Sequence, residues 1–321
     1  MSNDQPIPIR ELQTPGMVRK VSAVIAAANR IILGKEAPIR LALVCLVTGG
    51  HLLIEDIPGV GKTTLAQTLA RLLGLSFQRI QFTSDLLPAD IIGASIYERQ
   101  SGEFRFHAGP IFAQLVLADE VNRATPKAQS ALLEAMEERQ VTVDGVTRPL
   151  PQPFFVIATQ NPLHQVGTFP LPESQLDRFL MRIGLGYPGE QAERGLLKGR
   201  DRRELLHDLQ PILSAPELLA LRAAAFNLQV SDALLDYLQA LVRYTRESPR
   251  YENGLSPRAT LALKHAAQAW ALLMGRNGVI PEDLQAVLPG VVAHRLRLKS
   301  THESSASASV AKDLLEAVPI P

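Results

Sequence analysis

The sequence predicts an α/β domain built on a parallel sheet, followed by an all-helical domain. Three observations carry that reading. Short continuous apolar runs that end in polar residues alternate with amphipathic stretches as far as about Tyr187. One such run, "HLLIED", passes through a Gly-rich turn directly into a helix. From about Pro188 the strand-like runs stop and helix signals take over.

In chain order, a helix is expected over Pro15 to Leu33, with Gly34 as its C-cap, and a second over Ala37 to Val47. "HLLIED" reads as a buried strand, "TTLAQTLARLLG" as a helix stopped by Gly74, and "FQRIQF" as another strand. "SIYERQ" and "EFRFHA" alternate around Ser101-Gly102, a hairpin inserted between core elements. "AQLVLADE" is a central buried strand ending in two carboxylates, and "PKAQSALLEAMEER" an amphipathic helix. "QVTVDGVTRPL" turns at Asp144-Gly145 as a second hairpin, and "PFFVIATQN" is another buried strand.

In the second domain, Ser214 and Glu217 form a capping box before "LLALRAAAF". "SDALLDYLQALVRYTRE" is a helix, and Pro257 sits in the first turn of "PRATLALKHAAQAWALLMG". "PEDLQAVLPGVVAHRLRL" is a helix that Pro289 must interrupt or bend. "STHESSASASV" is expected to be loose, and "AKDLLEAV" to dock as a short terminal helix. The expected boundaries are residues 1–187 for the α/β domain and 188–321 for the helical one, with the loose segment near 300–309.

The 321 residues suffice for about two domains with sizeable cores. Lys plus Arg number 33 and Asp plus Glu 32, a balance that argues against a charge-driven nucleic-acid binder. One cysteine, Cys45 in an apolar run, excludes an internal disulfide and a cysteine-rich metal site. The seven histidines show no close-spaced ligand pattern. "MSNDQPIPIRELQTPG" has no signal-peptide core, and "IRLALVCLVTGGHLLIED" is broken by Gly-Gly-His, so a cytoplasmic protein without membrane insertion is expected.

The stretch "LLIEDIPGVGKTTLAQTLA", Leu52 to Ala70, has the strand, Gly-rich turn and helix of a phosphate-binding loop. Backbone N–H groups around Gly59 to Gly61 can cradle phosphate oxygens, and the helix beginning at Lys62 presents further free N–H groups. The Lys62 ammonium can reach β- and γ-phosphates, and the Thr63 hydroxyl can bind Mg²⁺. Asp56 replaces the first Gly of the strict pattern; its side chain is expected to face away from the ligand. Asp119 and Glu120 end a buried strand, where open α/β sheets bind ligands. Asp119 suits the Mg²⁺ shell and Glu120 the activation of water. They can converge only if the strand ends between them. Asn161, at the tip of another strand, could orient that water. Arg178 and Arg258 are candidate stabilisers of developing charge, although spacing alone singles out neither.

Together, "GVGKTT", "LADEVNRATPKAQSALLEAMEERQVTVDG", "ATQNP", "LPESQLDRFLMRI" and "GLSPRA" resemble the MoxR family of AAA+ ATPases, over about Gly16 to Leu298. The resemblance implies an AAA+ P-loop core with a parallel sheet and a helical lid, ATP/ADP and Mg²⁺ as ligands, and ATP hydrolysis. It implies Pro58, Gly59, Val60, Gly61, Lys62, Thr63 and Thr64 as the nucleotide loop, with Asp119 and Glu120 as the Walker B pair. Asn161 resembles sensor 1, and Arg178 an arginine finger that completes a neighbour's site. Arg258 resembles sensor 2, touching the γ-phosphate of its own subunit. Ile32, Leu33 and Gly34 lie where the family packs adenine, and Lys35 stands where Gln is more familiar.

The two hairpins resemble the helix-2 insert and the pre-sensor-1 hairpin, which face a ring pore; Phe104 and Phe106 are candidates for gripping a client. A homo-oligomeric ring, a hexamer, is implied, with a lid hinged near Gly186-Tyr187-Pro188. Its implied work is chaperone-like remodelling of a protein client through a von Willebrand factor A domain protein. A DNA-directed motor or loader and a metal-chelatase motor subunit are the alternatives.

Overall fold

The computed structural model describes residues 15–161, 169–199, 201–299 and 307–320. The polar segment 1–14 and the stretch 300–306 lie outside the described residues.

Five parallel strands form the central sheet: β1 (His51–Glu55), β2 (Phe77–Gln81), β5 (Leu115–Asp119), β8 (Phe155–Gln160) and β9 (Phe179–Ile183). Their spatial order is β2-β5-β8-β1-β9. The middle strands β5 and β8 are buried along their whole length, which is why they read as unbroken apolar runs. Alternation of side chains still sorts them: Leu115 and Leu117 enter one hydrophobic cluster, Val116 and Ala118 the other, with Phe155/Ile157 and Val156/Ala158 dividing in register beside them. Edge strand β2 buries only Ile80 fully.

On one face pack α1 (Pro15–Ile31), α2 (Glu36–Thr48) and α3 (Lys62–Leu72). The same cluster continues into the helical region: α9 (Ala215–Phe226), α10 (Asp232–Glu247), α11 (Pro257–Leu273) and α12 (Pro281–Val292). The other face is covered by α4 (Pro88–Ile92) and α5 (Pro126–Glu138). Hairpins β3/β4 (Gly93–Glu98, Glu103–Ala108) and β6/β7 (Gln140–Val143, Val146–Pro149) project as separate two-stranded sheets. The short α6 (Glu173–Leu176) precedes β9, and α7 (Glu190–Lys198) and α8 (Arg202–His207) follow it. No helix among the described residues is long and apolar enough to cross a membrane.

Three expectations change. Strand β9 has no counterpart in the sequence reading: "FLMRI" is a short apolar run without turn signals of its own, and it becomes a strand by pairing with β1. The terminal helix α13 (Ser307–Ala317) begins four residues before "AKDLLEAV", because burial of Val310, Ala311 and Leu314 outweighs the weak propensity of the serines. Helix α12 continues through Pro289 and ends at Val292, short of Leu298. One lost N–H bond is tolerated there because Val287, Leu288, Val291 and Val292 are fully buried.

Candidate active site

Strands β1, β5 and β8 end side by side, because all are parallel and paired in register. The loop after β1 therefore lies beside the last residues of β5 and β8, the place where open α/β sheets take ligands. In that loop Gly59 and Gly61 hold φ of 85° and 95°, a conformation that side chains strain to adopt. A Cβ on either would meet nothing within 4 Å, so their glycines serve the backbone turn. Pro58 and Gly59 are exposed, Val60 rests on the core, and Lys62, Thr63 and Thr64 form the first turn of α3.

Lys62 is buried at the mouth of α3. Its Nζ donates to the Asp56 carbonyl at 2.5 Å and to Asn161 Oδ1 at 3.4 Å. Burial lowers its pKa, opposed by the nearby charges of Asp56, Asp119, Glu120 and Glu55.

The carboxylate pair converges because β5 stops at Asp119 and Glu120 turns into the left-handed region, φ 58° and ψ 49°. A non-glycine residue rarely sits there, and the strain is held by its partners. Thr159 stitches the pair: its Oγ1 donates to Asp119 Oδ1 at 2.6 Å and accepts from Glu120 N at 2.8 Å. Arg79 closes the other side of Asp119, with Nη2 2.6 Å from Oδ2. Glu120 accepts from Asn161 Nδ2 at 2.9 Å, Arg123 Nη1 at 2.8 Å and Gln81 Nε2 at 3.2 Å. Burial pushes the Glu120 carboxyl up, but the hydrogen bonds from Arg123 and Asn161 and the charges of Arg123 and Lys62 prevail and hold it below the ordinary glutamate range. The result is one connected chain, Lys62–Asn161–Glu120.

Arg178 and Arg258 lie elsewhere. Arg178 immediately precedes β9, so it sits at the starting end of the parallel strands, about 13 Å of strand away from the loop after β1. Arg258, in the first turn of α11, shares a carboxylate with it: Glu137 Oε2 is 2.9 Å from Arg178 Nη2, and Oε1 is 2.6 Å from Arg258 Nη2. Glu137 lies in the last turn of α5 next to Met136, whose carbonyl contacts His51 at the start of β1. The cavity here, about 300 Å³, is lined by Arg139, Arg178, Arg258 and Arg295 with Glu137 and Asp177.

Residues 51–181 match the ATPase family associated with various cellular activities (AAA), and residues 243–316 match the AAA lid domain. The chain is 44% identical to Chaperone MoxR1 of Mycobacterium tuberculosis over 88% of this chain and 76% of that protein. It is 33% identical to Protein MoxR of Paracoccus denitrificans, over 89% of this chain and 91% of that one. A crystal structure of a candidate ATPase from Cytophaga hutchinsonii superposes with a TM-score of 0.86 at 37% identity, covering 97% of this chain and 98% of that one. This chain belongs to the MoxR family of AAA ATPases.

The geometry corrects one MoxR-based expectation. Arg258 was expected at the γ-phosphate of its own subunit; it lies instead beside Arg178, at the opposite end of the strands from Lys62. The reason is that Ser256, which caps α11, packs on Asp177, with Oγ 3.4 Å from Oδ2. Of the candidate gripping residues, Phe104 is 75% exposed against Tyr97, but Phe106 is packed between Phe112 and the Arg148 guanidinium, 3.9 Å from its ring centroid. Arg148 thereby ties the two hairpins together.

Asp56 faces away from the loop interior. Its Oδ2 accepts from the Leu185 and Gly186 N–H groups at 2.5 Å each, and its Oδ1 from Ile57 N at 2.8 Å. Lys35 Nζ donates to the Tyr187 carbonyl at 2.6 Å. Both residues that depart from the familiar pattern therefore hold the segment after β9. Ile32 is buried in the core, and Gly34 lies against Ala192 of α7.

The sequence reading missed Thr159, Arg79, Gln81, Glu137 and Arg295. Arg295 is 6% exposed at its side chain and binds Asp177 Oδ1 together with the carbonyls of Asp177, Phe179, Leu180 and Val291. A charged residue this buried is uncommon, but nothing in "AHRLRL" distinguishes it from Arg297.

Proposed function

We propose that this MoxR-family chain binds ATP at the loop after β1, hydrolyses it with Mg²⁺, and works as a homo-oligomeric ring, a hexamer, that remodels or activates a protein partner. The observation that carries the reading is the separation of charges. Lys62, Asp119, Glu120 and Asn161 lie at one end of the strands, while Arg178 and Arg258 lie at the other. Of the arginines at the Lys62 end, Arg79 is paired with Asp119 and Arg123 with Glu120, and a head-to-tail ring brings Arg178 and Arg258 of one subunit to the nucleotide of the next.

Asp119 offers a carboxylate already oriented by Thr159, and Thr63 a hydroxyl in the first turn of α3. Hard oxygen donors of this kind suit Mg²⁺, which when bound would offset charge on the β- and γ-phosphates. Lys62 exchanges the Asp56 carbonyl for phosphate oxygens. Glu120, ionised at neutral pH, orients the attacking water and accepts its proton, and Asn161 fixes that carboxylate. The name Chaperone MoxR1 of a 44% identical relative supports a protein partner. A von Willebrand factor A domain protein as intermediary rests on the family resemblance.

ATP turnover per subunit, measured against protein concentration with oligomer size on the same samples, tests the reading. Turnover should climb as rings form. Arg178→Ala should cost ~10³-fold or more while ATP still binds. Turnover independent of concentration, or untouched in that variant, would remove the shared site.

A further inference from the structure

We propose that Glu137 is a positioning residue for the shared site: one carboxylate that holds Arg178 and Arg258 side by side for the neighbouring subunit's nucleotide. This rests on the ring reading above.

The two guanidiniums come from different elements, the residue before β9 and the first turn of α11, and like charges brought together repel. A carboxylate between them turns repulsion into a paired arrangement. Glu137 does this with one oxygen for each arginine, 2.9 Å and 2.6 Å away. Each contact engages an Nη2, and a guanidinium carries five N–H donors, so both retain capacity for an incoming anion. The hydrogen bond from Arg258 and the charge of Arg178 keep the Glu137 carboxyl below its usual range.

The support beneath is buried and hydrogen-bonded. The Met136 carbonyl, next to Glu137, is bonded by the buried His51 ring. Asp177 and Phe179, on either side of Arg178, are gripped by the buried Arg295. Around the cavity four arginines face two carboxylates, and Asp177 is already taken by Arg295. The remaining positive excess suits a polyphosphate, and Glu137 sets the spacing of the two cations that would meet it.

The test uses the full chain, with ring size, ATP KM and kcat for wild type, Glu137→Gln, Glu137→Ala and Arg178→Ala. The Glu137 variants should assemble and keep KM within about twofold, while kcat falls on the order of 10²-fold, the cost of small misplacements in an aligned site. Mixed rings then separate positioning from folding. Glu120→Gln subunits cannot hydrolyse but donate intact arginines, so mixing them with Glu137→Gln subunits should restore turnover at the latter's own nucleotides. Unchanged or raised kcat in both Glu137 variants, or no gain on mixing, overturns the proposal. If Arg178→Ala collapses while Glu137→Gln does not, the proposal alone falls. If Arg178→Ala is also untouched, the ring reading falls with it.

Discussion

Asn161 Nδ2 donates to Glu120 Oε1 at 2.9 Å, while Asn161 Oδ1 accepts from Lys62 at 3.4 Å. One amide therefore links the cation that would meet phosphate to the carboxylate that would meet water. Removing the carboxylate's charge, Glu120→Gln, should lower turnover by roughly 10²–10⁴-fold with ATP binding kept. Asn161→Ala should lower it less, about 10²-fold, since Arg123 and Gln81 still hold Glu120. Equal losses of binding and turnover in Asn161→Ala would mean that it supports the loop and not Glu120. Turnover together with equilibrium ATP binding decides.

Asp56 joins the nucleotide loop to the segment that leads into the helical region. Asp56→Ala leaves the Leu185 and Gly186 amides without their charged acceptor. The expected cost is about 1–3 kcal/mol, part of it recovered by water at the exposed Gly186. Amide exchange at these two residues should quicken more than within β9. Unaltered protection there would show that the carboxylate does not restrain the segment after β9.

Arg295 clamps the backbone on both sides of Arg178. Arg295→Ala should cost about 3 kcal/mol by taking a buried guanidinium from the half-buried Asp177 carboxylate and its backbone carbonyls, and should also lower ATP turnover by misplacing Arg178. Arg295→Lys should rescue little of either, because an ammonium cannot fork to Asp177 and several carbonyls at once. Denaturant melts and turnover on the same samples check both. Full rescue by lysine would reduce the clamp to a simple charge.

His51 carries a pH dependence. Its Nδ1 accepts from Val156 N at 3.0 Å and its Nε2 donates to the Met136 carbonyl at 3.2 Å, an arrangement only the neutral ring can make. Burial lowers its pKa to about 4. The unfolded ring, near its ordinary 6.5, binds the proton more readily than the folded one. Stability is full above pH 6.5 and is lost as pH falls toward 4, by on the order of 3 kcal/mol. Buried His294, also pushed well down, adds with the same sign. Melting curves between pH 7 and 4 should show the loss, and His51→Gln should flatten it. An unchanged slope would place the acid sensitivity elsewhere.

Elements whose signals are local were legible. The Gly-rich turn into α3, the buried strand ending at Asp119, the hairpin turning at Asp144-Gly145 and the capping box at Ser214 and Glu217 each announce themselves within a few residues. Lys62, Asp119, Glu120 and Asn161 could be named because strand ends in a parallel sheet gather at one edge. Strand β9 was not legible, since a five-residue run with Arg182 inside it becomes a strand only when β1 offers an edge. Thr159 and Arg79 escaped notice because a threonine and an arginine within strands carry no mark of the carboxylate they will meet.

By itself, the sequence determined that an α/β core with a Gly-rich loop after its first strand precedes a helical region, and which residues stand in that loop. Backbone preference and hydrophobic period are local properties, and they are written in the chain. Only the tertiary structure decided that Asp56 turns to the segment after β9 and that Glu137 pairs with both Arg178 and Arg258. It also decided that this pair faces away from its own Lys62. Those partners are 121 or more residues apart for Arg258 and Glu137, and for Asp56 and Leu185. Charges at such separations meet only where packing of the apolar cores brings their elements into reach, which no local pattern encodes.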